Sequence, residues 1–159
     1  ALQHRYVLHQ EDDFLFHAYD GNLLKHFATA IRILENEPDT MQVRFPRFHN
    51  EADRIRGLYT KHGIQSLVER ETEEGFRSTD FSLNPSVFRS RDLKLATELY
   101  TRGGHGLPQH VEHGFGRMLT YPSQERACLA VLTPANVKVA HLGTRPGEED
   151  SLTEPVYAN

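Results

Sequence analysis

Three histidines and a glutamate in residues 103–122 are the side chains best suited to chemistry. His110 and His113 are three residues apart, so on a helix they lie on adjacent parts of one face and can reach a single ion. His105 precedes them on a glycine-rich run and would supply a third imidazole. A divalent metal such as zinc on three imidazoles keeps one position for water and lowers the pKa of that water to about 7. Glu112 would then act as the general base of a metal-dependent hydrolase.

A surface helix explains the same residues without a metal. Pro108 suits the first helical position, and Val111 and Phe115 lie on the apolar side, which leaves the histidines facing solvent. The histidine spacing matches neither His-Glu-x-x-His nor its inverted form. We therefore expect a non-catalytic binding or regulatory module with a glycine- and histidine-rich recognition loop. The alternative is a histidine-ligated divalent-metal protein or a small metal-dependent hydrolase, so the sequence leaves open whether the protein is an enzyme.

Two segments have the character of an anion site. The glycines at 103, 104 and 106 precede a helix start, although neither phosphate-loop signature is present. The most basic part of the chain surrounds a helix start predicted at Asn50, where an anion would meet backbone donors. We favour a solvated charged face there, paired with Glu51 and Asp53. The basic residues are Arg44, Arg47, His49, Arg54 and Arg56.

Composition excludes several classes of protein. The chain has 159 residues, of which 38% are hydrophobic and 25% charged, and no apolar run approaches the roughly 20 residues of a membrane span. A net charge of -4 argues against nucleic acid, because binding to the phosphate backbone needs clustered Lys and Arg. Cys128 is the only cysteine, so no internal disulfide can form and a cytoplasmic location is expected. The expected partner is a small molecule or a protein.

Alternating apolar residues predict two short strands within residues 5–19. Tyr6 and Leu8 share one side of the first, Phe14 and Phe16 share one side of the second, and an acidic turn joins them. We expect an N-terminal hairpin. Its other face would carry His9 and His17, as half-exposed strand residues or as distant metal ligands.

Apolar spacing also predicts the helices. In residues 23–35 the stripe formed by Leu24, Phe27, Ile31 and Leu34 would face the core, and His26 would lie on the helix surface. Further helices are predicted at residues 50–63, 86–102 and 107–120, and residues 127–132 fit a helix or a buried strand. Strands are predicted at residues 41–45, 76–83 and 137–141.

These elements predict a single α+β domain in residues 1–145. It would consist of a small mixed or antiparallel sheet, with the N-terminal hairpin, covered by three to five helices. Residues 146–159 are rich in glycine, proline and acidic residues, so a mobile or surface-draped tail is expected there.

Overall fold

The protein is described from a computed structural model, which covers residues 4–47, 52, 70–78, 84–102, 128–132 and 136–142. Within these residues it is a sheet-rich α+β fold of eight strands and two helices. The elements in chain order are β1 (Tyr6–His9), β2 (Phe14–Ala18), α1 (Leu23–Asn36), β3 (Thr40–Arg44), β4 (Arg70–Thr72), β5 (Gly75–Ser78), β6 (Ser86–Arg89), α2 (Ser90–Arg102), β7 (Cys128–Leu132) and β8 (Val137–His141).

Six of the strands form one mixed sheet in the order β1-β6-β3-β7-β5-β4. The only parallel pair is β3 with β7, and the other four neighbouring pairs are antiparallel. Strand β6 is paired on both edges, and all four of its residues are buried. This double pairing explains why residues 86–89 form a strand, where the sequence predicted the start of a helix at Ser86.

The predicted N-terminal hairpin is wrong, although both of its strands exist. β1 pairs with β6 in the large sheet, whereas β2 pairs with β8 in a separate two-stranded sheet. The long-range pairings replace the local one because both β6 and β8 present buried partners to these strands. His9 and His17 consequently belong to different sheets.

An aromatic cluster attaches the two-stranded sheet to the rest of the core. The ring of Phe45 lies 4.9 Å from that of Phe16 and 5.2 Å from that of Phe27, with both pairs edge to face. Such pairs contribute about 0.5–1.5 kcal/mol beyond the area they bury. Phe45 follows β3, Phe16 lies on β2 and Phe27 on α1, so the cluster joins three elements.

Helix α1 packs on one face of the large sheet. Asn22 caps its start, because the Asn22 side chain accepts a hydrogen bond from the backbone N–H of Lys25 at 3.1 Å. The residues that α1 buries are His26, Ala30, Ile33 and Leu34. This face is rotated from the predicted one, since Leu24 is 79% exposed and His26 only 5%.

The predicted cover of three to five helices is wrong for the described residues, in which α1 and α2 are the helices and Ala52 is a single further helical residue. The sequence of residues 127–132 fitted either a helix or a buried strand. Residues 128–132 form the strand β7, which is held in the sheet by its parallel partner β3 and its antiparallel partner β5. The predicted helices at residues 50–63 and 107–120 and the tail at 146–159 lie outside the described residues, apart from Ala52. No helix in the described part of the chain is long and apolar enough to cross a membrane.

Candidate functional site

The residues predicted to bind a metal, His105, His110 and His113, lie outside the described residues, as does Glu112. Across the ranges that the structure does describe, no group of three or more His, Cys, Asp or Glu side chains is placed to hold a metal ion. The described residues form two clefts beside the end of α1.

The clefts lie on opposite sides of α1. The apolar side chains of Val43, Val87 and Ala130 share the sheet face on which α1 packs. Strands β7 and β5 continue the sheet on one side of β3, and β6 and β1 continue it on the other. One cleft opens toward β5 and the other toward β1, so the last turn of α1 separates them.

The acidic cleft, on the β5 side, has a volume of about 360 Å³. This volume is within the range of about 300–1,000 Å³ that is usual for small-molecule sites. Its described lining includes three carboxylates and one guanidinium, a formal charge of -2, and the other described lining residues are apolar or glycine. The lining residues are Ile33, Glu37, Glu73, Glu74, Gly75, Phe76, Arg77, Ala130 and Val131.

A tight turn between β4 and β5 forms the rim of the acidic cleft. Glu73 and Glu74 connect the paired residues Thr72 and Gly75, so both glutamates stand at the tip of the hairpin. Gly75 has φ +153°, and a Cβ atom there would lie 1.9 Å from the carbonyl oxygen of Val131. Only glycine lets the turn approach β7 this closely.

Ion pairs hold the sides of the acidic cleft. Arg77 Nη2 lies 2.5 Å from Asp39 Oδ2, and Arg77 Nε lies 3.5 Å from Glu37 Oε2. The hydrogen bond from Arg77 lowers the pKa of Asp39 from its ordinary value. Arg32 on α1 forms an ion pair with Glu74.

Glu73 differs from the other carboxylates of the acidic cleft. It is exposed and has no hydrogen bond or ion pair to any residue within the described ranges. Glu37, by contrast, also accepts a hydrogen bond from the Thr40 hydroxyl at 3.0 Å. Glu73 is therefore the carboxylate of this rim that is available to a ligand.

The basic cleft, on the β1 side, has a similar volume of about 350 Å³. Three arginines and one glutamate give it a formal charge of +2 with histidine neutral. Its lining residues are His4, Arg5, Leu34, Glu35, Pro38, Arg89, Ser90 and Arg91.

Arg89 forms the floor of the basic cleft, and its side chain is only 9% exposed. Its Nη1 donates to the Thr40 carbonyl oxygen at 2.8 Å and lies 3.0 Å from Asp92 Oδ2. Its Nη2 donates to the Glu37 carbonyl oxygen at 3.0 Å and to that of Leu34. Two of these bonds go to carbonyls at the end of α1, where the helix itself supplies no N–H donors, and the third goes to the first residue of β3. The Arg89 guanidinium is thus used for folding.

Two other arginines project from the basic cleft into solvent. The side chains of Arg5 and Arg91 are 77% and 75% exposed. Arg5 Nη1 lies 3.4 Å from Glu35 Oε1, and Arg91 Nε lies 3.2 Å from Asp92 Oδ1. Exposed pairs of this kind contribute about 0–1 kcal/mol, so a partner can replace them at little cost.

Buried polar side chains also occupy the opposite face of the large sheet. Gln42 Nε2 donates to the Ser86 hydroxyl at 2.7 Å, and that hydroxyl donates to the Asn84 carbonyl oxygen. Arg44 stands beside Ser86 in the sheet register and is only 2% exposed. Arg44 therefore does not belong to the solvated basic face that the sequence predicted.

Two of the five described histidines form separate pairs with aspartates. His26 Nε2 lies 2.9 Å from Asp20 Oδ1, and His141 Nε2 lies 2.9 Å from Asp13 Oδ2. The backbone N–H of Asn22, and then the His26 side chain, lower the pKa of Asp20 well below its ordinary range. The Asp20 bond explains why His26 is buried on α1, since a buried imidazole needs a polar partner.

Sequence reasoning missed both clefts. The only sequence signal for the acidic cleft was the Glu-Glu-Gly run before an alternating segment, which is typical of a hairpin turn. Nothing in the sequence places residues 73–77 beside Ile33, because that proximity depends on strand order.

No protein-family model, curated protein or solved structure matches this chain. Function is therefore inferred from the two clefts and from the sequence pattern.

Proposed function

We propose that the protein is a non-catalytic binding module whose acidic cleft takes a positively charged side chain of a partner protein or peptide. The observation that carries this proposal is an exposed Glu73, which has no partner within the described ranges, at the rim of a cleft of about 360 Å³ that also presents apolar side chains. The negative charge of the cleft would select a cationic side chain, and its apolar residues would pack on the methylene stem of that side chain. The glycine- and histidine-rich residues 103–122 remain the proposed recognition loop, and the single cysteine favours a reducing compartment such as the cytoplasm.

Arginine is the cation that fits best. The rim already holds two guanidinium groups of the chain itself, Arg32 at Glu74 and Arg77 at Asp39. A guanidinium fork matches a carboxylate with two hydrogen bonds, whereas an ammonium group acts as a point charge. The apolar side of the cleft, including Ile33, would pack on the methylene stem of the incoming residue.

Calorimetric titration with a blocked Gly-Leu-Arg-Leu-Gly peptide tests the proposal. The same peptide with citrulline in place of arginine keeps the shape and removes the charge. We expect the arginine peptide to bind at low salt, the citrulline peptide to bind about tenfold more weakly, and Glu73→Gln to cause a similar loss. Glu98→Gln removes a carboxylate on α2 that is 44% exposed and lies outside both clefts, and it should leave binding unchanged. Equal binding of the two peptides would refute a site that selects charge.

A divalent-metal protein or small metal-dependent hydrolase is the second proposal, supported by the spacing of His105, His110 and His113. Elemental analysis of untagged protein tests it directly. Stoichiometric zinc that disappears in the His110→Ala, His113→Ala double variant would favour the metal protein. Metal-free protein of unchanged stability would exclude it.

A further inference from the structure

We infer that the partner is a second copy of this chain, with the acidic cleft of each protomer set against the basic cleft of the other. This inference rests on the proposed function, because it needs an acidic cleft that accepts a cationic side chain. It adds the source of that cation, namely Arg91 and Arg5 of the second copy. The two clefts carry formal charges of -2 and +2 and have nearly equal volumes.

The placement of the clefts suits a closed symmetric dimer. Both clefts flank α1 on the same face of the sheet. Arg77 is in register with Ala130, which lies beneath α1, so the two residues share that face. Arg89 is two residues from Val87 along β6 and therefore shares the same face. A two-fold axis parallel to α1, displaced from the helix toward the second copy, exchanges the two sides of the helix. It therefore sets each acidic cleft opposite a basic one and forms both contacts at once. Such two-fold dimers are the commonest soluble oligomers.

Glu73 and Arg91 are the cleft side chains that can make this exchange. Glu73 has no partner within the described ranges, and Arg91 holds only an exposed contact to Asp92. Arg89 contributes charge to the basic cleft without moving, because its own hydrogen bonds lie within the protomer. Association then replaces weak exposed pairs by pairs that are shielded from water, which strengthens them.

Charge reversal with exchange tests the inference by sedimentation velocity over a wide concentration range. We expect the native chain to dimerise, with the dimer weakened by added salt. Arg91→Glu and Glu73→Arg should each weaken dimerisation about tenfold or more, because each sets like charges against each other twice. An equimolar mixture of the two variants should restore dimerisation. In the mixed dimer one contact pairs the native Glu73 with the native Arg91, and the other pairs the two substituted residues, whose charges are also opposite. Arg102→Glu, which reverses a 78% exposed arginine at the far end of α2, is the control and should change nothing.

Three outcomes would overturn the inference. They are a monomer at every concentration, a dimer that neither reversal weakens, and weakened variants that the mixture does not restore. The citrulline comparison separates this failure from that of the proposed function. A monomeric protein that still prefers the arginine peptide retains a cation-binding cleft with a different partner, whereas loss of that preference removes both proposals.

Discussion

The two clefts beside α1 have nearly the same size and opposite charge, but they use their charges differently. In the basic cleft the central cation, Arg89, is buried and its donors are occupied by carbonyls and by Asp92. In the acidic cleft the anion at the tip, Glu73, is exposed, with no partner among the described residues. The first arrangement stabilises the fold, and the second leaves charge for a ligand. The comparison shows that the sign of a cleft's net charge says less about ligand binding than whether its charged groups already have partners within the protein.

Removing the buried arginine should have the largest effect. Arg89→Met removes the buried donors to the Leu34, Glu37 and Thr40 carbonyls and leaves Asp92 with the exposed Arg91 as its cation. We expect the free energy of unfolding to fall by about 3–5 kcal/mol, because several buried hydrogen bonds to a charged group and a largely buried ion pair are lost together. Urea denaturation followed by circular dichroism measures this change. Arg102→Met, at an exposed arginine, should stay within about 0.5 kcal/mol of the native protein; similar losses in both variants would mean that Arg89 has no special structural role.

Substitution of the glycine beneath the acidic rim should have the next largest effect. In Gly75→Ala the new Cβ would meet the Val131 carbonyl oxygen, and the backbone conformation is unfavourable for alanine. We expect a loss of about 3 kcal/mol in unfolding free energy. Gly21→Ala is the matched comparison, since Gly21 also has a positive φ, +69°, but nothing lies within 4 Å of the added atom. It should cost about 1–2 kcal/mol. Equal losses would show that the close approach to β7 is unimportant.

The ion pair at the side of the acidic cleft should have the smallest effect, and one that depends on pH. Arg77 holds the pKa of Asp39 below its ordinary value of 3.8, so the folded state binds the proton less readily than the unfolded chain. The contribution of Asp39 to stability is therefore present above about pH 4 and disappears as the pH falls through the folded pKa. Asp39→Asn should lower the unfolding free energy by about 0.5–1 kcal/mol at neutral pH. Denaturation curves at several pH values should show this difference vanishing in acid, and a difference that persists there would contradict the assignment.

Local patterns predicted many of the elements but not their arrangement. The helix near Leu23 and the strands near Thr40 and Val137 follow from apolar periodicity and a capping asparagine, which act over a few residues. The pairing of β1 with β6 depends on residues about 80 positions apart, and no local signal encodes it. The buried face of α1 was mispredicted because the bond between His26 and Asp20 lets a polar residue replace Leu24 in the interior.

The candidate site was harder to predict than the fold. Sequence reasoning favoured residues 103–122 because histidine, glycine and proline have conspicuous chemistry. The acidic cleft is built from ordinary glutamates and from backbone proximity at Gly75, which becomes visible only when β5 and β7 are adjacent. Such a site depends on the order of the strands in the sheet, so no sequence motif marks it.

The most direct test of the account is to map the arginine peptide onto the protein by amide chemical-shift changes in ¹⁵N-labelled protein. In protein dilute enough to be monomeric, we expect the shifts to concentrate at residues 73–77 and around Ile33, with little change around Arg89, and to be much smaller with the citrulline peptide. Shifts confined to residues 103–122, or shifts of equal size with both peptides, would contradict the claim that the acidic cleft is the binding site.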